Sequence, residues 1–241
     1  MAENKTCLII GAAGGIGRSL TTRLHEHGWD LVLAGRRPEP LADLSESVNG
    51  RTAVVDAQDP DALQAVFEEC GPLGGAVNLA GSILLKPAHS TSPSDFDDTV
   101  RQNLLTAFNT VRAAGQAMRK TGGSVVLMST CAATVGLPNH EAISAAKAGV
   151  EGLTRAAAAT YSTFGVRFNA VAPGLVDTPL AERITSSEPS LKASTSMHPL
   201  GRIGEPADIA RAIAFLLDPA ASWMTGQVIG VDGGLARIKS R

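Results

Sequence analysis

The chain has 241 residues, of which 44% are hydrophobic and 18% charged, with a formal net charge of −2. That length and apolar content suit a large α/β unit that buries its own core without staples. Near-neutral charge provides no electrostatic pull toward nucleic acid or an anionic membrane, so neither is expected as a partner. In chain order, the first apolar run, residues 7–10, is too short for a signal-sequence core or a membrane span, and the expected compartment is the cytoplasm. Strands are predicted at 6–10, 31–34, 52–55, 75–79, 124–128, 167–171 and 227–231, and helices at 16–27, 61–70, 95–120, 140–163 and 206–217. Most of the strand runs are continuously apolar, which fits strands covered on both faces.

Alternation of strand and helix argues for right-handed βαβ crossovers. The expected fold is therefore a single Rossmann-type, doubly wound α/β domain over residues 1–241: a seven-stranded parallel sheet with helices on both faces. Residues 5–120 form mainly its dinucleotide-binding half. Residues 177–202 are the least regular stretch, with Pro179, Pro189, Pro199 and five serines, and are expected to form a lid or substrate loop. Cys7, Cys70 and Cys131 lie far apart without ligand spacing and read as reduced thiols; no metal site is expected.

The first strand runs into Gly11-Ala-Ala-Gly14-Gly15-Ile16-Gly17, where a helix begins. Glycines let backbone approach a diphosphate, and the helix start offers free N–H groups and a positive dipole end. The second strand ends Leu33-Ala34-Gly35-Arg36-Arg37, with no carboxylate for a ribose 2′-OH. A guanidinium there suits a 2′-phosphate, so NADP(H) is expected in preference to NAD(H), with Arg36 as the leading contact.

With its Gly-x-x-x-Gly-x-Gly spacing the sequence resembles the short-chain dehydrogenase/reductase family. Further motifs follow in that family's order: Asp56 after the third strand, Asn78-Leu79-Ala80-Gly81 after the fourth, Asn103 in the long helix, Pro173-Gly174 with Thr178, and Val231-Asp232-Gly233-Gly234. The resemblance runs from residue 5 to about residue 235. It implies that Gly11, Gly15, Ile16 and Gly17 meet the diphosphate, Asp56 the adenine, and Asn78, Ala80 and Gly81 the cofactor beyond it. Pro173, Gly174 and Thr178 would meet the nicotinamide side, and Asn103 would belong to the catalytic site. A basic residue that many NADP-dependent members carry in the glycine loop is absent; Ala13 and Gly14 stand there.

The family's acid/base pair is Tyr-x-x-x-Lys, preceded by a Ser. Lys147 fits the Lys and would hold the nicotinamide ribose, but the position four before it is Ile143, which has no proton to give. Thr130 aligns with the Ser, and Ser129 is adjacent; either hydroxyl can bind a substrate oxygen. The single tyrosine, Tyr161, lies roughly 20 Å along the helix from Lys147 at 1.5 Å per residue. His140, seven residues before Lys147, falls near the same helical face. It resembles the tyrosine position of enoyl reductases in the superfamily, and histidine is a competent general acid near neutrality.

The resemblance thus implies an oxidoreductase moving hydride to or from a carbonyl or alcohol, or a conjugated C=C, of a small-molecule substrate, with His140 or ordered water completing the proton transfer. The alternative is a catalytically silent dinucleotide-binding protein acting as redox sensor or scaffold. A homo-oligomer is expected, a tetramer formed through the two long helices and the last strand.

Overall fold

The computed structural model describes residues 5–239. Residues 1–4, which lead into the first apolar run, lie outside the described residues. Seven parallel strands form one sheet in the order β3-β2-β1-β4-β5-β6-β7: β1 (Thr6–Ile10), β2 (Asp30–Gly35), β3 (Arg51–Val54), β4 (Gly75–Asn78), β5 (Gly123–Met128), β6 (Val166–Pro173) and β7 (Val228–Val231). The order reverses between β1 and β4, which pair Ile10 with Asn78. Their carboxyl ends open the crevice where α/β sheets of this kind bind ligands.

The period-two rule divides each strand between two cores. Leu8 and Ile10 face one, with Phe67, Val125, Leu127 and Phe168, whereas Cys7 and Ile9 face the other, with Leu20, Val126, Ile209 and Ile213. The second core is covered by α1 (Gly15–Glu26), α2 (Pro38–Val48) and α9 (Pro206–Leu217). The first is covered by α3 (Pro60–Glu69), α5 (Thr106–Ala117) and α6 (Glu141–Tyr161). Burial on both faces is why the strands read as unbroken apolar runs.

Two expectations are refined. The helix predicted at 95–120 is α4 (Pro93–Val100), a π-helical turn at Arg101–Leu105, and then α5. Residues 177–202, expected to be irregular, fold largely as helix: a 3₁₀ turn at Pro179–Ala181, α7 (Glu182–Thr185) and α8 (Glu188–Met197). Pro179 and Pro189 stand in the first turns of these segments, where a missing N–H costs nothing, so the prolines start helices and do not break them. Helix α2 was not anticipated, although its buried Leu41, Leu44 and Val48 have helical spacing. Among the described residues, no helix is long and apolar enough to cross a membrane, and no cluster of His, Cys, Asp or Glu is placed to hold a metal ion.

Candidate active site

The glycine turn after β1 holds its shape by backbone bonds. Gly11 and Ala12 donate N–H to the Ala34 carbonyl at 2.8 and 3.2 Å, and Gly14 donates to Gly11 at 3.1 Å. Gly11 has φ +84°, and a Cβ there would stand 3.0 Å from the Leu79 carbonyl carbon. A Cβ at Gly17 would lie 2.5 Å from both the Gly11 and Ala12 oxygens, so α1 packs against the turn with no room for a side chain. Gly14 caps α1 without a side-chain bond, and the first turn carries no acid. The N–H groups that open α1 are therefore left uncapped by any side chain, and Gly14, Gly15, Ile16 and Gly17 line a cavity of about 500 Å³.

Just past the end of β2, which pairs with β1, Arg36 and Arg37 are exposed, and Arg36 has no hydrogen-bond or ion-pair partner among the described residues. Arg18 bridges the glycine turn to α2, donating to the Ala13 and Pro40 carbonyls at 3.2 and 3.4 Å; the sequence reading did not single it out. Asp56 is exposed and accepts the Gln58 N–H at 3.0 Å. Asn78 is a buried clamp: its Oδ1 accepts the Ala80 N–H at 2.8 Å and its Nδ2 donates to Thr110 at 2.9 Å, fixing the turn that carries Ala80 and Gly81.

Beyond the glycine turn the same cavity is lined by Gly81, Asn103, Ser129, Thr130, His140, Ile143 and Lys147, and by Pro173, Gly174 and Thr178. Asn103 sits in the π turn, donating to the Thr99 carbonyl at 2.9 Å and the Ser82 hydroxyl at 3.1 Å. Lys147 is buried with its Nζ donating to the Met128 carbonyl at 2.8 Å. Desolvation without a counter-charge pulls its pKa from 10.5 down to about 8. The Thr130 hydroxyl donates to Pro173 at a long 3.4 Å. Ser129 lines the cavity, but its hydroxyl donates to Glu151 at 2.9 Å, so its hydrogen bond runs to α6. His140 caps α6 and bonds the Pro138 carbonyl through Nδ1 at 2.7 Å. Cys131 is buried beside them, and burial pushes its thiol up to about 11, out of thiolate range.

The remaining wall is apolar. Ile83 and Leu85 come from the segment after β4, Leu137 from the turn before α6, and Leu180, Ile184 and Met197 from the α7–α8 segment, which thus forms part of the wall. That segment is tied down by His198, which is buried: Nδ1 bonds the Ser194 carbonyl at 2.7 Å and Nε2 accepts the Leu175 N–H at 3.2 Å. A Cβ at Gly174 would approach Nε2 to 2.5 Å, so the glycine makes room for the imidazole.

A family model described as enoyl-(acyl carrier protein) reductase matches residues 11–236. The 3-oxoacyl-[acyl-carrier-protein] reductase FabG of Thermotoga maritima is 33% identical over 97% of this chain and 98% of its own. The chain belongs to the short-chain dehydrogenase/reductase family. Solved structures agree: a short-chain type dehydrogenase/reductase from Mycobacterium ulcerans superposes with a TM-score of 0.93 at 30% identity, covering 97% of this chain and 90% of its own. ElxO with NADP bound superposes at 0.90 and 28% identity, covering 96% and 98%.

In this short-chain dehydrogenase/reductase the chemistry is therefore oxidation and reduction. Its one tyrosine takes no part in the cavity: Tyr161 packs against Gly115 of α5, with its ring 5.5 Å from that of Phe168. Sequence reading of this family member missed Glu151 as the partner of Ser129, and Ser144, whose hydroxyl donates to Ala132 at 2.8 Å and ties α6 to the turn after β5. Neither residue lies in a motif; only the helical spacing from Lys147, four on and three back, places them near it.

Proposed function

We propose that the protein is an NADP(H)-dependent short-chain oxidoreductase. It transfers hydride to or from the carbonyl or alcohol, or the conjugated C=C, of a small apolar substrate, and a group other than tyrosine handles the proton. The carrying observation is that the uncapped, glycine-lined start of α1 opens into the same cavity as Thr130 and Lys147.

The residues present fit the dinucleotide. The N–H groups of Gly15, Ile16 and Gly17, with Gly11 beneath, hold the diphosphate. Asp56 stands for the adenine, and Arg36, exposed and unpaired among the described residues, takes the 2′-phosphate. Binding of NADP by ElxO supports the same choice. Asn78 shapes the turn that presents Ala80 and Gly81; Pro173, Gly174 and Thr178 flank the nicotinamide side, and Lys147 holds its ribose. The bound nicotinamide supplies or accepts hydride. Thr130 orients the substrate oxygen, Asn103 fixes the cavity floor, and the leucines and isoleucines of the wall favour a substrate without charge.

We further propose a cytoplasmic homotetramer built on α5, α6 and the β7 region. Phe108 on α5 is 52% exposed and Trp223 before β7 is 99% exposed, which supports a contact through those elements. Light scattering reporting a monomer would refute the assembly.

Calorimetry with NADPH and NADH, followed by turnover of a panel of apolar ketones and enones, tests the central reading. Tight NADPH binding with turnover is expected. No binding of either coenzyme would overturn it, and binding without turnover on any of the panel would favour a silent dinucleotide-binding protein.

A further inference from the structure

Reduction of a carbonyl needs a proton as well as a hydride, and Ile143 supplies none. Resting on the reductase reading above, we propose that the Lys147 ammonium itself protonates the substrate oxygen.

Placement carries the argument. Lys147 enters the cavity one helical turn after Ile143, and both line it together with Thr130. The Nζ donates one hydrogen bond, to Met128 at 2.8 Å, leaving two of its three N–H groups without a partner among the described residues. It lies against Gly81, where a Cβ would stand 3.4 Å from Nζ and 2.7 Å from Asn103 Oδ1, so the side chain on that side is an uncharged amide.

Among the described residues the segments packed there offer no counter-charge. The end of β5 presents the Met128 carbonyl, the turn after β4 presents Gly81, and the π turn presents Asn103. Glu151, one turn on along α6, accepts the Ser129 hydroxyl and forms no ion pair with Lys147; Cys131 is a neutral thiol. The ammonium is therefore held near its own titration point, about 8, where it donates readily. His140 is placed less well. It caps α6 about 10 Å back along the axis at 1.5 Å per residue, with Nδ1 bound to the Pro138 carbonyl.

The step balances simply. When hydride, which a bound nicotinamide would supply, reaches the carbonyl carbon, the C=O π pair would move onto oxygen, and that oxygen would take a proton from Nζ. Lys147 is left as a neutral amine and regains its proton from water.

The test uses the full chain, NADPH and a ketone it reduces. The Cε signal of ¹³C-labelled lysine, assigned by its loss in Lys147→Met, should titrate near pH 8 without cofactor. The single-turnover rate should fall about tenfold per pH unit above that midpoint. In Lys147→Arg the charge persists and calorimetry should still detect NADPH, yet the rate should drop at least about 100-fold and lose this alkaline limb. A lysine signal titrating at its ordinary value, an alkaline limb that survives in Lys147→Arg, or one abolished in His140→Gln would overturn the proposal. Failure of the wild type to bind NADPH would overturn the underlying reductase reading as well, and calorimetry separates that case from the failure of the lysine alone.

Discussion

The buried imidazole of His198 accepts the backbone N–H of Leu175 at 3.2 Å. Because Nδ1 meets the Ser194 carbonyl, the ring is held as the neutral tautomer with the proton on Nδ1. One side chain thus ties the end of α8 to the strand end that carries Pro173 and Gly174. Replacing it with alanine leaves a buried N–H and a carbonyl unmatched, at a cost of about 1–3 kcal/mol each. In His198→Ala, hydrogen exchange over residues 188–197 should accelerate and substrate KM should rise more than the Kd for NADPH. Unchanged exchange would show that the tie does not hold α8 in place.

Gly17 tests the phosphate end. A methyl group there meets two backbone oxygens at 2.5 Å, and backbone cannot swing aside as a flexible side chain does. Gly17→Ala should lower stability by about 1–3 kcal/mol, which is about 2–4 °C of Tm per kcal/mol for a chain of this size. Coenzyme binding should weaken in parallel. A variant with native Tm and native affinity would refute the close packing.

Arg36 tests the choice of coenzyme. Exchanging its guanidinium for a carboxylate removes a charge-assisted contact worth about 1.5–3 kcal/mol and adds repulsion. Arg36→Asp should lose roughly 10- to 150-fold in NADPH affinity and hold NADH as well as before or better. Equal loss for both coenzymes would place the 2′-phosphate elsewhere, with Arg18 the next residue to examine.

Lys147 makes stability depend on pH in a defined direction. Its native pKa, about 8, lies below the ordinary 10.5, so between those values the unfolded chain binds the extra proton. Stability then rises with pH across that window, and the penalty for the buried charge is felt in full below it. Lys147→Met lacks this dependence. Its stability relative to wild type should decline by about 3 kcal/mol from pH 8 to pH 10.5, measured by urea unfolding. A flat difference would mean that the amine is not desolvated.

The strand set and the cavity's motif residues were legible because each leaves a local trace. Continuous apolar runs mark two-sided strands, and Gly11 and Gly17 mark places in the turn where only glycine fits. The hidden parts depend on contacts distant in sequence. His198 reaches back to Leu175 from the end of α8, Ser129 reaches Glu151 across to α6, and neither pairing has a spacing rule. Prolines were misleading in the opposite sense: Pro179 and Pro189 read as marks of an irregular stretch, yet each begins a helical turn. The Asn103 motif was visible, but the widened turn around it was not, since side-chain periodicity barely registers a single added residue.

That widened turn sits between two halves of one continuous helix. Deleting one residue from Arg101–Leu105 would restore regular winding and leave α4 and α5 nearly in phase, because the wider turn absorbs one extra residue. Asn109 and Thr110 would then keep their places against the sheet, while Asn103 would lose the outward set that the bulge gives it. The extra residue thus acts on the floor of the cavity alone, and its removal would reshape that floor without disturbing the core it stands on.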